Sequence, residues 1–216
     1  MGQQLDGDRR RHVIQPCLGR VIAGIACDPP TTIAQMNERT FERVIEVDML
    51  GVWRTVRACL PQIIARQGHV LVTASLYSYF NGMVNAPYAM SKAGVEMFGR
   101  ALRAELAGTG ATAGVLYPGW IATPIAKVAF GGNETATKLV SMAFPWPLNK
   151  AILPERVATA VVEGIQRRNA RITVPSRWIP ISLLRGVVNV LSDKMLDHNT
   201  KIQALTRQLE QESSKR

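Results

Sequence analysis

Apolar positions along the chain follow two rhythms. Short continuous runs rich in β-branched residues occur at residues 20–26, 69–73, 113–117 and 171–174, and each predicts a buried strand. Asp28-Pro29-Pro30 closes the first run and Pro118-Gly119 the third. Between the runs, apolar residues recur at helical spacing. Asn37 is a candidate N-cap with Glu38 behind it, and Phe41, Val44, Ile45 and Val47 follow. Val52, Val56, Leu60, Ile63 and Ile64 mark a second helix, which Pro61 is expected to bend and Gly68 to end. Residues 77–86 read as a loop. Pro87 opens a helix to about Gly108, with Ala93, Met97, Leu102 and Leu106 on its apolar side. Residues 125–150, broken by Gly131-Gly132, Pro145 and Pro147, read as irregular. A helix starts at Pro154-Glu155, and two more helical segments finish the chain. Strands alternating with helices predict an α/β fold with a parallel sheet flanked by helices.

Composition narrows the class. A chain of 216 residues that is 47% hydrophobic can bury a core, which argues against disorder. Three cysteines are too few for a disulfide scaffold, and Cys17, Cys27 and Cys59 lack ligand spacing. His12, His69 and His198 are scattered, so no metal site is expected. No apolar segment reads as a membrane span or secretory signal, and a cytoplasmic location with reduced thiols is expected. The net charge of +10 is uneven, with +6 of it in residues 166–216. That basic quarter holds one aromatic, Trp178, and no nucleic-acid-binding module, so no nucleic-acid partner is expected.

The chemistry centres on Tyr88-Ala-Met-Ser-Lys92. Four residues apart on a helix, Tyr88 and Lys92 share a face. An ammonium beside a phenol favours phenolate, so the pair is expected to lower the Tyr88 pKa for proton transfer. Ser75, thirteen residues upstream at a strand end, can reach the same point. Tyr88 and Lys92 alone read first as a solvated helix face. Three residues in the right elements favour a site.

At this point the chain resembles the short-chain dehydrogenase/reductase family, over roughly residues 20–192. The resemblance rests on Tyr88 and Lys92, on Ser75, on Pro118-Gly119-Trp-Ile121-Ala-Thr123 after the next strand, and on Ala23-Gly24. It implies a Rossmann-like sheet and hydride transfer between NAD or NADP and a carbonyl/alcohol pair. Tyr88 would be the general acid/base, Lys92 its partner and a ribose ligand, and Ser75 the group orienting the substrate oxygen. Ala23, Gly24, Pro118, Gly119, Ile121 and Thr123 would line the cofactor, and Trp120 would face the substrate.

Two departures from the family pattern stand out. Where the family carries Asn in a Val-Asn-x-x-Gly segment, this chain reads Val47-Asp48-Met-Leu-Gly51. Asp48 can hold a water in a proton relay or be a first-turn carboxylate. Nothing before residue 20 matches the family's strand, Gly-rich turn and helix, which meets the cofactor pyrophosphate. The expectation is a domain lacking its first β–α units, on the order of eighty residues. Residues 1–19 would be a foreign opening, from another reading frame or initiator, and 193–216 a helical tail. Gly108-Thr-Gly110-Ala-Thr-Ala-Gly114 follows a helix and precedes a strand, so it reads as a connecting turn. A non-catalytic remnant serving in binding or oligomerisation is the alternative function.

The remaining features concern partners. Trp120, Phe130, Met142, Phe144 and Trp146 read either as an apolar wall for a hydrophobic substrate or as ordinary packing. Trp178 to Leu191 reads first as a helix covering a sheet edge or subunit contact, and second as a membrane-surface helix. A homo-oligomer is expected. The closing helix has apolar positions at 202, 205 and 209 and a frayed end from Glu212.

Overall fold

The computed structural model describes residues 18–21, 24–27, 30–123, 133–144 and 146–214. Its sheet has four strands, β1 (Leu18–Val21), β2 (His69–Thr73), β3 (Thr112–Pro118) and β4 (Arg171–Val174). They lie side by side in sequence order, and all are parallel. The expected strand over 20–26 is displaced. Pairing with β2 runs from Leu18 to Val21, and residues 24–27 have left the ladder.

Helix α1 (Glu38–Ile45) begins at the Asn37 cap, whose side chain accepts from the Thr40 N–H. One wide π turn, Glu46–Leu50, joins it to α2 (Gly51–Ala65), and Pro61 lies inside α2 without ending it. Helix α3 (Ala86–Glu105) links β2 to β3. Alternate strand residues face opposite ways. Val70, Val72, Ala113, Val115 and Tyr117 meet Val52, Val56, Ile63, Val95 and Leu102 of α2 and α3. Leu71, Leu116 and Ile172 face the other way, onto Val161 of α5 (Pro154–Gln166). Gly108 and Gly110 take positive φ in the turn from α3 to β3, in line with the connecting-turn reading.

Three expectations are corrected. The segment 125–150 contains a helix, α4 (Glu134–Ala143), capped by the Asn133 side chain on the Ala136 N–H. On α3, Ala93 and Met97 face solvent, while Ser91, Lys92, Val95 and Glu96 face inward. The final helices are α6 (Ile179–His198) and α7 (Thr200–Ser214). Glu212 is tied to Thr135 and Gln208 instead of fraying, because α7 packs along α4. Among the described residues, no helix is long and apolar enough to cross a membrane.

Candidate active site

The carboxyl ends of parallel strands gather loops that no neighbouring strand covers, and ligands of such sheets bind there. Ser75 follows β2 by two residues, where the Ala74 N–H still bonds Leu116 O. Its Oγ accepts from the Tyr77 N–H and starts a single 3-10 turn, Leu76–Tyr79. Tyr88 lies in the first turn of α3, placed by Pro87 at the helix start, and Lys92 follows one turn later. The three converge. A hydrogen bond joins the Tyr88 hydroxyl to the Ser75 side chain, and Lys92 Nζ lies 5.4 Å from the Tyr88 ring centroid. Ser75 and Lys92 are buried and Tyr88 half-buried.

Asp48 belongs to the same cluster. It sits in the first turn of the π segment, fully buried. Its Oδ1 accepts the Ile25 N–H at 2.7 Å, which fixes the chain as it leaves β1, and its Oδ2 lies 3.3 Å from Lys92 Nζ. An extra residue in the helical turn is a common device at functional sites, because it redirects a side chain without ending the helix. Gly24 lies beside this ion pair, and a Cβ there would stand 3.4 Å from Lys92 Nζ.

The electrostatics differ from the sequence expectation. Burial pushes the Tyr88 hydroxyl up to about 12; the Ser75 hydrogen bond lowers it and the Asp48 charge raises it further. Burial raises Asp48 and lowers Lys92, and their mutual attraction opposes both shifts. The expected lowering of Tyr88 is therefore absent, because burial disfavours the phenolate and the Asp48 charge adds to that effect.

Around this cluster the pieces of the second loop are held by backbone. Gly119 donates to Val174 O at 2.7 Å, and a Cβ on it would stand 2.8 Å from Leu76 Cδ1. Ile121 bridges Ile152, and the Thr123 N–H bonds Ile121 O. Pro118 ends β3. Ala23 and Phe130 lie outside the described residues.

Tyr77 is the residue that sequence reasoning missed. Its ring meets Tyr88 at 5.6 Å, Trp120 at 6.0 Å and Phe144 at 6.4 Å between centroids. Its position two residues after Ser75 was the available signal. On its far side lies an open apolar groove lined by Phe80, Met83, Leu139, Phe144 and Met195. Trp146, by contrast, is 77% exposed, and Met142 packs with α7.

Residues 21–133 match the family model described as short chain dehydrogenase. The chain belongs to the short-chain dehydrogenase family. Among relatives of this family, a rat 17-beta-hydroxysteroid dehydrogenase 13 (Rattus norvegicus) is 30% identical over 189 residues, covering 80% of this chain and 58% of its own length. Protein MoaE of Klebsiella aerogenes is 35% identical over 144 residues, covering 64% of this chain and 55% of its own. An uncharacterized oxidoreductase of Myxococcus xanthus is 26% identical, covering 82% and 64%. The chain thus spans less than two thirds of the length of these relatives. Among solved structures, an actinorhodin polyketide ketoreductase with NADPH superposes with a TM-score of 0.60 at 26% identity, covering 73% of this chain and 65% of that one. A 4-hydroxyisoleucine dehydrogenase with NADH and succinate gives 0.60 at 18% identity, covering 72% and 64%, a likeness of fold.

The donor set fits one end of a dinucleotide. A hydroxyl, a phenol and an ammonium meet beside Gly24, whose missing side chain leaves room next to Lys92. That chemistry suits a ribose with its attached nicotinamide. Among the described residues, no Gly-rich turn runs from a strand into a helix to take the pyrophosphate. The first described α-helix after β1 starts at an Asn cap.

Proposed function

We propose that the chain is an NAD(P)-dependent oxidoreductase acting on a carbonyl/alcohol pair with a hydrophobic body. The meeting of Ser75, Tyr88 and Lys92 at the strand ends carries the proposal. The family membership and the NADPH-bound ketoreductase neighbour support it. The nicotinamide, when bound, supplies or accepts the hydride.

The chain's own residues do the rest. Ser75 Oγ and Tyr88 Oη hold the substrate oxygen between them. Tyr88 gives that oxygen a proton in the reductive direction and takes one in the oxidative direction. Lys92 holds the ribose hydroxyls, with Gly24 leaving the approach clear. The backbone of Pro118, Gly119 and Ile121 and the hydroxyl of Thr123 line the nicotinamide side. Asp48 fixes Lys92 and the Ile25 backbone. Tyr77, Trp120 and Phe144 wall the site against water, and the apolar groove beyond Tyr77 supports a hydrophobic substrate. Residues 20–192 would form this catalytic body and 193–216 its helical tail.

One observation favours the non-catalytic alternative. Half-buried and close to the Asp48 charge, Tyr88 holds its proton well above neutral pH. Titrating the 216-residue chain with NADH and NADPH, followed by nicotinamide fluorescence, separates the two readings. Binding is expected. Tyr88→Phe is expected to keep it while hydride transfer falls on the order of 10²–10⁴-fold. Failure to bind either nucleotide would remove the enzymatic reading of this chain.

A further inference from the structure

Helix α6 is turned the wrong way for a surface helix of a monomer. Polar side chains tie it to the rest of the chain. Ser182 donates to Tyr79 Oη at 2.9 Å, Arg185 pairs with the buried Glu96 at 2.6 Å, and Asp193 accepts from Asn81 at 2.8 Å. Its large apolar side chains point out. Ile179, Leu183, Leu184, Val187, Val190, Leu191 and Met195 are each 43–72% exposed. A helix normally buries its apolar stripe, and a contiguous exposed one marks a surface covered by something else.

The spacing of these residues says what covers it. They are arranged symmetrically about Val187. Leu184 and Val190 are equally far from it on either side, as are Leu183 and Leu191, and Ile179 and Met195. A twofold axis through Val187 lays this face antiparallel on its own copy. Each apolar residue then falls level with another, and Val187 meets its mate. Such self-matching is what an isologous interface requires, since residue i must meet j while j meets i.

The charges agree. About the same axis no like charges fall level. Arg185, the one charged residue between Trp178 and Ser192, is held by Glu96. A helix lying on a lipid surface would instead turn a basic polar side to water. On the inner side of α6, Ser182 and Arg185 are engaged by Tyr79 and Glu96 of the same chain.

We infer that the outer face of α6 is a twofold self-association surface, which pairs two copies of this chain antiparallel about Val187. Sedimentation of the full 216-residue chain over a concentration series tests it. A dimer is expected. Val187→Glu, counted twice at the axis, is expected to weaken it on the order of 100-fold while far-ultraviolet circular dichroism stays unchanged, because Val187 is already 63% exposed. Val187→Cys, in a chain with Cys17 and Cys59 changed to Ser, is expected to be joined into a covalent dimer by a short bis-maleimide. A wild-type chain that is monomeric throughout, or a dimer that Val187→Glu leaves intact, overturns the inference. So does a monomer that co-sediments with phosphatidylcholine/phosphatidylglycerol vesicles and loses that binding in Val187→Glu, which reassigns the face to lipid.

Discussion

Lys92 and Asp48 place an ion pair beside Tyr88, whose proton affinity burial has already raised. Nearly buried and 3.3 Å apart, they present Tyr88 with little net charge. Asp48→Asn removes the negative partner and keeps an acceptor for the Ile25 N–H. The uncompensated ammonium then favours the Tyr88 phenolate, so the Tyr88 pKa falls. The pH–rate profile for alcohol oxidation is expected to move to lower pH, with a matching shift in the phenolate absorbance that Tyr88→Phe abolishes. An unmoved profile would show that Asp48 does not act on Tyr88. Ser75, Tyr88 and Lys92 were legible in the sequence because spacing and element context are local properties. The ion pair was not, since its partners are 44 residues apart and follow no period.

At the scale of elements, polar contacts decide which side of a helix faces in. On α3 the inward side carries Lys92 and Glu96, so the apolar pattern led to Met97, which is exposed. Glu96 is a buried carboxylate shared by Arg185 at 2.6 Å, Arg100 at 3.7 Å and Arg171 at 3.9 Å. It ties α3 to α6 and β4. Glu96→Ala leaves three guanidiniums without their counter-charge. Because those are partly open to water, the loss of stability is expected to be about 1–3 kcal/mol, read from the urea midpoint. A cost under a few tenths would show that α6 is held by its apolar contacts alone. Helix α4 was hidden by the surrounding glycines and prolines. Its sequence signal was Asn133 followed by Glu134, an N-cap and a first-turn acid.

Across the whole molecule, the folding equilibrium depends on the sheet's buried starting edge. His69 opens β2, with Nδ1 2.8 Å from Thr112 Oγ1. Burial, helped by Arg103 and Arg168, pushes its pKa from 6.5 down to about 4. Between these values the unfolded chain binds a proton that the native chain refuses, so stability rises with pH and is lost on acidification. The loss is expected to begin below about pH 6.5 and reach about 3 kcal/mol near pH 4. His69→Gln should flatten the dependence of thermal midpoint on pH over that window. An equally steep curve in the variant would assign the effect to other groups. The sequence by itself determined the α/β class, the positions of β2, β3 and β4, and the serine, tyrosine and lysine, because strand runs and short spacings are written locally. Only the tertiary structure decided that Asp48 neutralises Lys92, that Tyr77 walls the site and that α6 turns its apolar side outward. Each of these rests on contacts between distant segments, where a buried charge must find its partner whatever the local hydrophobic rhythm prefers.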